Sequence, residues 1–201
     1  MVSRNLLALV VIGTGLLASA VNVWASEKVG VAGSSTQFSS RVETKVASRP
    51  VTLRLTGTAL RQKYWINVYS MASYVQEGIK VQTPAELAEA DCVKQLHLVM
   101  ERSVQGKDMA EAFRSSIRMN YPEPAFADEV NLLVRSLQND AIGKGENVYL
   151  THLPGVGLHI NVSGKADFVI KNVRFSKAIW DIYLGKNNLG EAIKKGLVSR
   201  L

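Results

Sequence analysis

Val51, Leu53 and Leu55 stand at alternate positions with Thr52 and Arg54 between them, the two-residue period of a strand with one wet face. Further along, Met109, Phe113 and Ile117 fall four apart, and Phe126, Val130, Leu133 and Leu137 keep helical spacing. That is the period of helices with one apolar stripe. A chain that switches between these two periods has to lay helices on a sheet.

The order of the segments narrows the choice. Val42 and Val46 belong to a first strand, and Arg49-Pro50 makes a turn before Val51–Leu55. Lys63–Gln76 is rich in β-branched and aromatic residues and reads as one long strand. Thr83, Pro84 and Glu86 have the spacing of an N-cap, a first helical position and a capping partner. Lys94–Glu101 reads as another strand, and Lys107–Asn120 as a helix that Pro122 and Pro124 terminate. A second helix, about 125–139, carries Asp128 and Glu129 in its first turn; Gly143 and Gly145 break it.

Asn147–Leu153 and Gly157–Val162 flank Pro154-Gly155 as a hairpin, and Phe168–Val173 is one more strand. Ser176 is positioned to cap a helix through Leu184, with Gly185 as its stop. Leu189, Ile193 and Leu197 mark a last helix. Hairpins fit this order better than βαβ units. The expected class is α+β, a mainly antiparallel sheet with helices on one face.

Residues 1–25 have the pattern of a secretory signal peptide: Arg4, an apolar run from Leu6 to Ala20, and small residues at Val23-Trp24-Ala25 or Ala18-Ser19-Ala20 before a cut. An uncleaved anchor helix is the alternative, weakened by Gly13, Thr14, Gly15 and Asn22. The expected destination is the bacterial periplasm or the exterior. Residues 26–36 read as a flexible lead-in, and 37–201 as the folded domain. Cys92 is the one cysteine, which excludes an intrachain disulfide and fits a small buried apolar residue.

The formal charge of +7 is unevenly spread. Residues 26–160 hold 15 Lys and Arg against 14 Asp and Glu, whereas residues 161–201 hold 8 against 3. No basic reading element interleaved with aromatics is present, so a nucleic-acid partner is not expected. The basic C-terminal helices leave peripheral contact with an anionic membrane open, and with it the reading of an envelope interaction protein.

His97, His152 and His159 match no zinc spacing. His152 and His159 flank the Pro154-Gly155 turn, where cross-strand pairing can bring them together; two ordinary hairpin histidines are the commoner outcome. The chain has no G-x-S-x-G elbow and no phosphate-binding loop, and Gly155-Val156-Gly157 sits in a hairpin. Neither a metal nor a cofactor is expected.

The informative stretch is Leu55 to Tyr69. Arg61 can place a bidentate cation at the mouth of an apolar cleft, and Tyr64, Trp65 and Tyr69 can line that cleft. Cation plus apolar wall suits a small hydrophobic anion. By pattern alone, a surface arginine paired with a carboxylate is the commoner arrangement.

Leu55-x-Gly57-x-x-Leu60-Arg61-x-Lys63-Tyr64, then Ser73-Tyr74-Val75, then Phe175-x-x-Ala178-Ile179-x-x-Ile182-Tyr183-Leu184-Gly185, together resemble the bacterial chalcone isomerase-like family over about residues 37–198. The resemblance implies an open-faced β-sandwich. It also implies two functions. One is an intramolecular lyase closing a chalcone-like ring, with Arg61 as its catalytic arginine; the family's threonine falls near Val68 and its tyrosine near Lys107 or Asp108, neither with the expected hydroxyl. The other is a non-catalytic fatty-acid binder that uses Arg61 with Tyr69.

Overall fold

The computed structural model describes residues 26–201; the expected signal peptide, and the alternative of an anchor helix, lie outside the described residues. Strands β1 (Lys28–Gly30) and β2 (Gln37–Ser39) form a small antiparallel pair. Seven more strands follow: β3 (Arg41–Val46), β4 (Arg49–Lys63), β5 (Ile66–Gln76), β6 (Lys94–Met100), β7 (Asn147–Leu153), β8 (Gly157–Val162) and β9 (Ala166–Ile170). They make one antiparallel sheet in which every strand pairs with its neighbours in sequence.

The described residues also form five helices: α1 (Pro84–Glu89), α2 (Gly106–Arg118), α3 (Ala127–Leu137), α4 (Val173–Leu184) and α5 (Glu191–Leu197). They bury their apolar stripes against one sheet face. Met71, Leu96, Leu98, Leu150 and Ile160 from the sheet meet Phe113, Ile117, Leu133, Phe175, Ile179 and Trp180 from the helices. The expected class therefore holds: α+β, an open-faced β-sandwich.

The opposite sheet face has a smaller core of its own. Leu53, Leu55 and Tyr74 pack with Val31 and Phe38 from the N-terminal segment. The Glu101 carboxylate accepts hydrogen bonds from Ser34, Thr36 and Ser70, tying the turn after β1 to the sheet. Residues 26–36, read from sequence as a flexible lead-in, thus include a paired strand and a buried Val31. Short apolar positions among glycines and serines gave no periodic signal.

Local chemistry accounts for several boundaries. The Thr83 hydroxyl accepts from the Glu86 amide at 3.1 Å, as an N-cap requires, and the Glu86 carboxylate accepts from the Gln82 amide, one residue before the cap. The helix expected to start at Ser176 starts at Val173, because the Asn172 side chain caps the Phe175 amide at 3.0 Å. That cap also stops β9 at Ile170. The turn expected at Arg49-Pro50 lies two residues earlier, at Ala47-Ser48, both with left-handed φ.

Two backbones meet where α5 crosses β4. Thr56 is the extra residue of a bulge between Leu55 and Gly57, and its hydroxyl reaches the Leu197 carbonyl at 2.9 Å. A Cβ on Gly57 would stand 2.1 Å from the Gly196 carbonyl, and one on Gly196 would stand 2.6 Å from the Thr58 carbonyl. Only glycines permit this approach.

Lys94 is a cation in the core. It is fully buried, its Nζ donates to the Leu87 and Ala88 carbonyls that end α1, and it stands 4.9 Å from the Trp180 ring centroid. Burial pushes its pKa down to about 8.

Two outcomes are expected. Gly57→Ala should cost about 3 kcal/mol or more, because the clash is with backbone rather than a flexible side chain; a denaturant midpoint close to wild type would refute the contact. For Lys94, the unfolded chain keeps its proton up to the ordinary value of 10.5 while the folded chain releases it near 8. Between those values the unfolded state binds more protons, so this group makes stability rise with pH. Urea melts from pH 7.5 to 10 should show that rise, and Lys94→Met should flatten it.

Candidate functional site

Arg61 lies on β4 directly opposite Tyr69 on β5, so both side chains face the helices. A second bulge places an extra residue, Val68, between Asn67 and Tyr69 and aims Tyr69 inward. Tyr69 is buried, and its hydroxyl lies 3.4 Å from that of Tyr183 on α4. Burial pushes both phenols above their ordinary range, partly offset by the Arg61 charge. They therefore stay neutral and can donate.

Arg61 itself is half-buried. Its Nη1 donates to the Leu189 carbonyl, at the foot of α5, at 3.2 Å. Among the described residues no carboxylate forms an ion pair with it, so the commoner arrangement allowed by sequence is not found. A guanidinium has five N–H donors, and among the described residues this one makes a single side-chain hydrogen bond. The result is an underused cation against two buried hydroxyls and an apolar interior.

Tyr64 and Trp65 are elsewhere. Lys63–Gln76 is not one strand: β4 ends at Lys63, β5 starts at Ile66, and Tyr64-Trp65 form the two-residue turn between them. Both have left-handed φ, 50° and 67°, and both project into solvent at 84% and 94% exposure. They line no cleft with Tyr69. Nothing in their composition signals a turn, because aromatics favour strands and two-residue hairpin turns favour Asn and Gly.

Tyr183 and Leu189 were missed as site residues. Tyr183 stands in the tail motif quoted above, but nothing local ties it to residues 114 positions earlier. Of the positions where isomerase hydroxyls are expected, Val68 is the bulge residue, and Lys107 and Asp108 are exposed on the first turn of α2.

The histidines separate. His152 is buried toward the helices, while His159 pairs with Asp167 on the other face. His152 has Ser176 Oγ at 2.8 Å from Nδ1 and Asp91 Oδ1 at 2.9 Å from Nε2. The burial of the imidazole depresses its pKa, and its hydrogen bond depresses that of Asp91. A neutral ring thus donates to the carboxylate and accepts from the serine. The residue types are those of an acyl-transfer triad, but Ser176 is fully enclosed within α4, leaving no approach for a carbonyl. This chain braces β7 against α4. Among the described residues no group of His, Cys, Asp and Glu is arranged to hold a metal ion.

The basic tail is partly neutralised. Lys165 pairs with Glu146, Lys177 with Glu89 and Arg200 with Glu27, while Lys194 bonds the Gly185 carbonyl.

No curated protein sequence matches the chain. Among solved structures, the chain is similar to a fatty-acid binding protein of Arabidopsis thaliana, at a TM-score of 0.68 and 17% identity, over 86% of this chain and 96% of that one. Residues 35–199 match the chalcone isomerase-like family, and with nearly the whole described chain covered, the protein belongs to that family.

Proposed function

We propose that the chain is an exported binding protein for a fatty acid or a similar hydrophobic anion. The observation that carries this reading is the half-buried Arg61, free of any carboxylate partner among the described residues and set beside the hydroxyls of Tyr69 and Tyr183. A ligand carboxylate would take two parallel N–H bonds from Arg61 and a hydroxyl bond from Tyr69. Its tail would run between the sheet and α4–α5. That interior is packed with side chains, so entry requires the Leu189 segment to lift from Arg61. The fatty-acid binding protein of similar fold supports the ligand class. Family membership also carries the alternative of an intramolecular lyase for a chalcone-like or enone substrate, with Arg61 as the catalytic residue.

Native mass spectrometry should show a co-purified acyl chain, and added fatty acid should raise the melting temperature by mass action. Arg61→Ala should weaken fatty-acid binding by about 2 kcal/mol while the ligand-free melting temperature moves by no more than a few degrees. An unchanged ligand-induced shift in the variant would refute the assignment. Tyr69→Phe should weaken binding by about 1 kcal/mol; equal affinity would remove the phenol from the site. Chalcone cyclised at the same rate with and without protein would retire the enzyme reading.

A further inference from the structure

Tyr64 and Trp65 are by far the most exposed large apolar side chains among the described residues, and Ile66 beside them is half exposed. Their backbone is costly: left-handed φ is unfavourable for bulky residues. The β3–β4 turn has left-handed φ at the same two positions with Ala47 and Ser48, so hairpin geometry does not call for aromatics. Strain concentrated in exposed aromatic residues indicates a surface role.

The surroundings are cationic. Lys63 Nζ lies 5.8 Å from the Tyr64 ring centroid, and no Asp or Glu occurs from Thr44 to Gln76. The Glu101 amide bonds the Val68 carbonyl and the Gly145 amide bonds the Met100 carbonyl, so Arg102 and Lys144 flank the same end of the sheet. Two carboxylates beside these cations are occupied internally. Glu101 takes Ser34, Thr36 and Ser70, and Glu146 takes Lys165 and the Gly143 amide.

We propose that the tip of the β4–β5 hairpin docks on an anionic phospholipid bilayer, with Trp65, Tyr64 and Ile66 in the interface and Lys63 on the headgroups. Tyr and Trp bodies with polar tips suit that boundary, and each nearby cation adds attraction to an anionic surface. Arg61 stands on the same hairpin, facing inward. Docking would bring the site to the place from which a fatty acid arrives, a purpose that rests on the ligand reading above.

Trp65 is its own reporter. In full chain carrying Trp24→Phe, the remaining tryptophans are Trp65 and the buried Trp180. Vesicles of phosphatidylglycerol and phosphatidylcholine should blue-shift the emission, and shallowly brominated acyl chains should quench it. Tyr64→Asn should lower vesicle partitioning about tenfold and raise the melting temperature, since Asn tolerates left-handed φ. Lys63→Glu should weaken the preference for phosphatidylglycerol, and an undiminished preference would remove Lys63 from the contact. Trp65 emission unmoved by vesicles overturns the proposal. So does a shift that appears on concentrating the chain without lipid, which would make the tip a contact between copies. Tyr64→Asn should leave the fatty-acid thermal shift intact, and Arg61→Ala should leave vesicle quenching intact, so the two readings can fail separately.

Discussion

The contact of Gly57 with Gly196 holds α5 against the sheet. A helix can lie backbone to backbone on a strand only where neither carries a Cβ. Here the strand also gains a residue, Thr56, whose hydroxyl reaches the helix carbonyl that would otherwise be orphaned. With α5 fixed in this way, the segment leading into it lies over Arg61, and the Leu189 carbonyl becomes the partner of the guanidinium. The second bulge, at Val68, sets Tyr69 across from that cation. Two one-residue irregularities and two glycines therefore place Tyr69 and the Leu189 partner of Arg61, and α4 adds Tyr183.

The two interior cations of the helix face show what distinguishes a structural charge from a poised one. Lys94 is matched by two carbonyls and an indole face. Its environment is complete, and the cost of burying it appears as a weakened hold on its proton. Arg61 has one side-chain hydrogen bond and an edge open to solvent. Burying a charge is tolerated where partners surround it; Arg61, only half-buried, keeps part of its guanidinium at the surface instead.

The fold was largely legible from sequence because its signals are short-range. The alternation of Val51, Leu53 and Leu55, the four-residue spacing from Met109 to Ile117, and the Thr83–Glu86 cap each operate within a turn or two of chain. The turn at Tyr64-Trp65 was not legible, because its residues have the opposite local preference and are held by the pairing of Lys63 with Ile66. Arg61 and Tyr69 were legible as a pair because they sit on one hairpin. Tyr183 and Leu189 come from α4 and the segment before α5, and only tertiary packing brings them in. The Asp91–His152–Ser176 chain was hidden for the same reason.

The connectivity of the sheet has a consequence for the order in which the protein assembles. Each of the seven strands pairs with its neighbour in sequence; the β3–β4, β4–β5, β7–β8 and β8–β9 pairs close on short turns at small entropic cost, while β5–β6 and β6–β7 close around α1 and around α2 and α3. The Thr56–Leu197 bond spans 141 residues and has to form across an already folded sheet. A chain emerging from its amino end would build the strands first and roof Arg61 last. The cation would thus be open during assembly and covered at its completion, and partial release of α5 would return the molecule to the penultimate stage of its own folding.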